Sequence, residues 1–244
     1  MLRLLLGVLL LPLSAALAWA AATALAGVAL GAAEAAPFLA GGGLVAAAWL
    51  IGRHLSGESG APSRGLRAAR WLYVLGHELT HALAAWSTGG KVFAIKVGDD
   101  GGHVDVSHSG TIVALAPYCV PFHALLVVVG YRVLVWLRPE AQTETLFLFL
   151  IGGALSFHAL MTWEALTDAR QPDLDAAGGA LFSLALIVAA NGLLALVALK
   201  VLFPGSVAFA GATQAAWGRA WRFWAGAWAL AARGLGAARR RWGA

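Results

Sequence analysis

Apolar positions run through this chain in long blocks separated by short polar stretches, and each block is read as a helix long enough to cross a membrane. The first runs from Leu4 to about Leu30. Its opening, Met1 to Ala20, resembles a secretory signal, with Arg3, an apolar stretch and Ala18-Trp19-Ala20; the apolar pattern continues past Ala20, which favours a retained helix. Glu34, Pro37 and Gly41 to Gly43 read as a turn, followed by a short second span over about Phe38 to Ile51. Arg53 to Arg70 is polar, with Arg53, Arg64, Arg67 and Arg70 among Ser, Gly and Pro, and reads as a cytoplasmic loop. The next apolar run, Trp71 to Trp86, ends near Gly89-Gly90. Later spans cover Thr111 to Leu137, interrupted by Pro117 and Pro121, then Leu146 to Leu166, and Leu181 to Phe203. The two prolines predict a bend, because each frees a backbone carbonyl.

Two segments break this rhythm. Between Lys91 and Ser109 the pattern changes to strand-like alternation: Val92 to Val97, a turn at Gly98-Asp99-Asp100-Gly101, then Val104 and Val106 alternating with polar residues. This predicts a β-hairpin, with His103, Asp105 and His108 as its wet face or, less simply, as ligands. After Phe203, Trp217, Trp221, Trp224 and Trp228 recur on one helical face while Arg219, Arg222 and Arg233 take the other, and Arg239 to Arg241 follow. That is the pattern of an amphipathic helix at an anionic membrane surface. The expected fold class is thus an all-α polytopic membrane protein of about six transmembrane helices, with a small β-hairpin. The expected division is residues 1–68 as N-terminal helices and polar loop, 69–203 as membrane core, and 204–244 as a basic Trp-rich tail.

Composition agrees. Of 244 residues, 60% are hydrophobic and 12% charged, about half the charged share of soluble domains. The net charge of +5 comes from arginines placed between and after apolar spans, which points to topology rather than to a nucleic-acid partner. It orients both termini to the cytoplasmic side, in what is expected to be a bacterial cytoplasmic (inner) membrane. Cys119 is the single cysteine, so any metal must be held by His, Asp or Glu.

Those residues concentrate at Gly76-His77-Glu78-Leu79-Thr80-His81, inside the apolar run. His77 and His81 are four apart, so on a helix both imidazoles leave one face, the spacing at which two histidines hold one zinc ion with Glu78 beside the bound water. Each ionisable side chain in a bilayer costs roughly 2.5–3.5 kcal/mol on insertion scales. Three in one turn are therefore read as a functional site rather than as a satisfied polar cluster.

With this motif in an apolar helix, a hairpin directly after it and further helices beyond, the chain from about Arg70 to Phe203 resembles the site-2 protease class of intramembrane zinc metalloproteases, the M50 peptidase family. The resemblance implies His77 and His81 as zinc ligands, Glu78 as general base, a membrane protein or peptide as substrate, and an aspartate on a later element as third ligand. The family's Asp-Gly pair is missing after His81, except for Asp100-Gly101 in the hairpin turn. Asp173, in Gln171-Pro172-Asp173-Leu174, ranks first for the third ligand; His158, within a later span, and Asp175 are its rivals. The loop holding Asp168, Arg170, Asp173 and Asp175 must then dip into the membrane. An edge strand of the hairpin over Lys91 to Ser107 is one way to hold the extended substrate that this chemistry needs, by β-addition; a short ordered loop is the other reading of that segment. Two other classes stay open: a non-catalytic relative that binds or regulates, and a small proton or metal transporter, which would often show internal repeats that this sequence lacks. The pattern gives no oligomeric state.

Overall fold

The computed structural model describes residues 1–31, 33–59, 63–98, 101–168 and 171–242. The expected hairpin turn at Asp99-Asp100, Arg170, and the side chains of Asp168 and Arg239 to Arg241 lie outside the described residues. The chain is mostly helical and forms two compact units, residues 32–183 and residues 1–31 with 184–244.

The unit of residues 32–183 holds the HExxH segment, His77 to His81. After a 3-10 turn at Ala33–Ala35, helix α2 covers Ala36–Ser59 and α3 covers Arg64–Ser87. The polar segment between the second and third apolar blocks is therefore largely helical, leaving the chain little room for a loop. Ser63 starts α3 by accepting the Leu66 N–H through its hydroxyl at 3.2 Å. Gly41 to Gly43 do not turn the chain; they lie inside α2. The reason is packing. A Cβ at Gly41 would strike the Phe149 carbonyl, and one at Gly152 the Phe38 backbone, so α2 and α6 (Glu144–Asp168) approach backbone to backbone across small residues.

That contact is pinned by Glu164 of α6, which is buried. Its carboxylate takes the Trp49 indole N–H at 2.6 Å, pairs with the Arg70 guanidinium, and lies 3.8 Å from Arg53, whose guanidinium covers the Trp49 ring. One side chain thus ties α2, α3 and α6. Removing a buried partner strands the rest, so Glu164→Ala is expected to destabilise the detergent-solubilised protein by about 3 kcal/mol, the low end for a broken buried pair because Arg70 is partly exposed. Thermal unfolding checks this, and a melting temperature equal to the parent's would contradict it.

Strands β1 (Val92–Gly98) and β2 (Gly101–Val106) follow α3 and pair antiparallel, with Ile95 opposite Val104 and an irregularity between Val92 and Ala94. Val92 and Val106 pack on Ala84, Ala85 and Val113, which fastens the hairpin to α3. Next come α4 (Thr111–Cys119) and α5 (Phe122–Leu137), bent by 67° at Val120-Pro121, as the prolines predict. The segment after α6 is not a loop throughout: Pro172–Ala177 is a short helix, α7, with Pro172 at its start.

The other unit contains α1 (Leu2–Gly31), the greater part of α8 (Ala180–Leu202) and α9 (Phe209–Trp242). Ala16, Leu17, Ala20 and Ala21 of α1 meet Leu196 of α8 and Ala216 of α9. Ser14 adds a 2.7 Å hydrogen bond to the Ala185 carbonyl, and the Trp224 indole donates to the Leu9 carbonyl at 3.2 Å. The small residues of α9 thus face α1, while Trp217, Trp221 and Trp228 are exposed.

Among the described residues, four helices are long and apolar enough to cross a membrane, α1, α2, α6 and α8, and the bent α4–α5 pair makes a fifth if it is one span. The six-span expectation also included α3, whose arginines and HExxH side chains leave it less apolar than those helices. The many exposed leucines and valines on α1, α5 and α8 suit contact with lipid, and the chain is an integral membrane protein.

Candidate metal centre

The site is built from three elements. On α3, helical spacing sends His77 and His81 to one side, and their ring centroids lie 4.8 Å apart. Gly76, Glu78, Thr80 and His81 on this stretch are buried, and His77 is nearly so. Thr80 returns its hydroxyl proton to the Gly76 carbonyl at 2.7 Å, which satisfies it within the helix. α7 supplies Asp173, whose Oδ2 lies 3.4 Å from His77 Nε2 and 3.3 Å from His81 Nε2. The two Nε2 atoms are 3.2 Å from each other.

The protonation of His81 follows from its other nitrogen. Nδ1 lies 2.8 Å from the Val113 carbonyl on α4, and a carbonyl can only accept, so Nδ1 carries the hydrogen. Neutral His81 therefore presents a lone pair at Nε2, towards His77 and the carboxylate. Electron-rich atoms at this separation repel unless a proton or cation lies among them. A tetrahedral zinc ion with bonds of 2.0–2.1 Å has donor-to-donor edges of about 3.3–3.4 Å. The observed edges of 3.2, 3.3 and 3.4 Å match that triangle, and the donor set of two imidazoles and one carboxylate is one that zinc takes. The residues present fit the metal.

The third element is the hairpin. Together with α3, α4, α6 and α7 it encloses a cleft of about 1020 Å³, lined by His77, Glu78, His81 and Asp173 on one side and by β2 on the other. Gly102 of β2 rests against Glu78: a Cβ there would come within 2.6 Å of Glu78 Oε1. Glycine at this position is what lets the strand close over the carboxylate.

The other candidates fall elsewhere. His158 is buried on α6 and lines a crevice of about 10 Å³ with Gly76, His77, Thr80 and His123; its own nitrogens are not among the three donor atoms that converge. Asp175 is on α7 but exposed. His103 and Asp105 face the cleft from β2, 2.6 Å apart and exposed, as a hydrogen-bonded pair on the strand's open side. His108 sits beside Ser107 and Thr88. His123 does not serve its own bent helix but bonds to the Leu72 backbone of α3. Cys119 is a free thiol at the end of α4.

Sequence reasoning missed two contributors. Tyr118, fully buried, directs its hydroxyl to Asp173 Oδ2 at 3.0 Å, and the Val113 carbonyl orients His81. A tyrosine directly after a proline in an otherwise apolar run was the available signal for the first, since a buried phenol needs a partner. The second is a backbone atom and leaves no trace in residue type.

No curated protein and no solved structure matches the chain. A family model does: residues 44–122 match the one described as Peptidase M50B-like, a stretch that takes in most of α2, all of α3 with its HExxH, the hairpin and α4, and ends before Asp173. Over those residues, about a third of the chain, it is similar to the M50, site-2 protease-like family of membrane metalloprotease-type proteins.

Proposed function

We propose that the protein is an intramembrane zinc metalloendopeptidase that hydrolyses peptide bonds in membrane-embedded or membrane-proximal segments of other proteins. The observation that carries this reading is the triangle of His77 Nε2, His81 Nε2 and Asp173 Oδ2 opening on a strand-walled cleft. His77, His81 and Asp173 are its three zinc ligands, and His158 and Asp175 are not. A zinc ion held there would leave a fourth position for water, lower that water's pKa towards about 7 and polarise a carbonyl. Glu78, in the same cleft and one residue from His77, takes the proton of the attacking water and passes it to the leaving amine nitrogen as the C–N bond breaks. The other product keeps the new carboxyl group. The edge of β2 that no other described strand pairs with is suited to an extended substrate, since main-chain bonds to a strand hold a peptide straight at any sequence.

Metal analysis of the purified chain tests the reading. About one zinc per chain is expected, and none in the His77→Ala/His81→Ala double variant. Full zinc retention by the double variant would sink the site. A parent chain that binds zinc yet cleaves no membrane peptide from a broad panel would favour the non-catalytic relative instead.

A further inference from the structure

α4 is short, and three of its groups converge on the metal centre from behind. Pro117 has no N–H, so the Val113 carbonyl, four residues earlier, lacks its helical donor. That carbonyl is the acceptor for His81 Nδ1 at 2.8 Å. One residue past the proline, the Tyr118 hydroxyl reaches Asp173 Oδ2 at 3.0 Å, the same oxygen that faces both imidazoles. The Tyr118 ring stands edge-on to His77, centroids 4.9 Å apart. The hydroxyl has one proton and a second acceptor in reach, Gln171 Oε1 at 3.1 Å; the charged carboxylate is the stronger of the two. Gln171 is itself turned by its amide, which donates to the Ala165 carbonyl at 2.7 Å. At the start of α4, Thr111 donates to the Ala177 carbonyl at 3.1 Å, so the same helix grips α7 at both of its ends.

We propose that α4 is the outer clamp of the metal centre, with Pro117 and Tyr118 as positioning residues: Pro117 frees the carbonyl that fixes the His81 tautomer, and Tyr118 holds the Asp173 oxygen at the ligand position. The inference rests on reading His77, His81 and Asp173 as zinc ligands. The proline in this span then has a chemical use beyond bending the helix. A helix with an intact ladder would already have spent the Val113 carbonyl on its own backbone. The His81 ring would then rely on a shared acceptor, and its Nε2 lone pair would be less firmly aimed. Likewise, a phenylalanine at 118 would fill the same buried space but leave Asp173 Oδ2 without its donor. An acceptor behind a ligating imidazole raises its basicity and fixes its orientation, a donor to a ligating carboxylate holds the oxygen in place, and the loss of such partners commonly lowers metal affinity by about 10- to 100-fold.

The experiment uses the full chain in detergent, stripped by chelation and titrated with zinc against a chelating dye. The cobalt-substituted protein is read by its visible spectrum, which reports ligand geometry, and the metal-free protein by thermal unfolding. Tyr118→Phe is expected to weaken zinc binding about tenfold and to shift the cobalt spectrum, with the melting temperature of the metal-free protein unchanged. Pro117→Ala, which gives the Val113 carbonyl a competing helical N–H, is expected to weaken binding in the same direction. Tyr131→Phe, which removes a hydroxyl from a ring stacked on Phe147 at 4.2 Å, should match the parent in all three measurements. Each variant tests its own arm of the clamp. Parent affinity and spectrum in Tyr118→Phe overturn the Asp173 arm, and the same result in Pro117→Ala overturns the His81 arm. A lowered melting temperature without selective loss of zinc reduces Tyr118 to a packing residue, against the proposal. A parent chain that binds no zinc brings down the metal reading itself, whereas a zinc-binding parent with unaffected variants brings down only the clamp.

Discussion

The Glu78→Gln protein is expected to keep its fold and its zinc while cleaving membrane substrates about 10²–10⁴-fold more slowly than the parent. Glutamine has nearly the shape of glutamate, so the side chain still fills its buried place against Gly102. Glu78 is not one of the three groups whose donor atoms converge, so its charge is not needed to hold the ion. What disappears is a base. Water must then lose its proton to bulk solvent or to a poorer acceptor, and the leaving amine must find another proton. Cleavage of membrane-spanning test peptides in liposomes, with zinc stoichiometry measured on the same preparations, checks both halves. A variant that cleaves at the parent rate removes Glu78 from the base role. A variant that loses its zinc as well would mean that the carboxylate supports the metal site, and the rate loss would say nothing about proton transfer.

What could be read from the chain beforehand divides along the line between local and long-range contacts. The pairing of His77 with His81 is a property of one helical turn, and spacing alone reveals it. The hairpin and the bend at Pro121 are local too, and their residue types announce them. Contacts across 55 residues, from Tyr118 to Asp173, or across 32, from His81 to Val113, have no such signature. They depend on how α4 folds back on α3 and α7. The glycines at 41 to 43 show the opposite hazard, a residue type with two meanings. In water a run of glycines argues for a turn. Between membrane helices it permits backbones to touch, and α2 uses it that way against α6. Polarity likewise suggested a loop around Asp168, Arg170, Asp173 and Asp175, although Pro172 at a first helical position with acidic residues behind it is a helix-start signal.

The helix that starts at Pro172 decides the other large effect. Asp173→Ala is expected to lower zinc affinity by more than about 100-fold, beyond the range for partners that only support a ligand, while Asp175→Ala and His158→Ala stay within about tenfold of the parent. In a loop, Asp173 and Asp175 would be near equivalents. On α7 they are two residues apart in a helix, about 200° around its axis, and so point in nearly opposite directions. Asp173 is half-buried with its Oδ2 against both imidazoles, whereas Asp175 is exposed. His158 lines the small crevice behind His77, with Gly76 and His123, and its nitrogens stay outside the converging group formed by His77, His81 and Asp173. Chelator competition on the three single variants, in one detergent and at one pH, gives the order directly. If His158→Ala were the most damaging, the third ligand would belong to α6 and the carboxylate would be a support. If Asp175→Ala equalled Asp173→Ala, α7 would have to be unwound in the metal-bound protein, and the short helix would lose its place in the site.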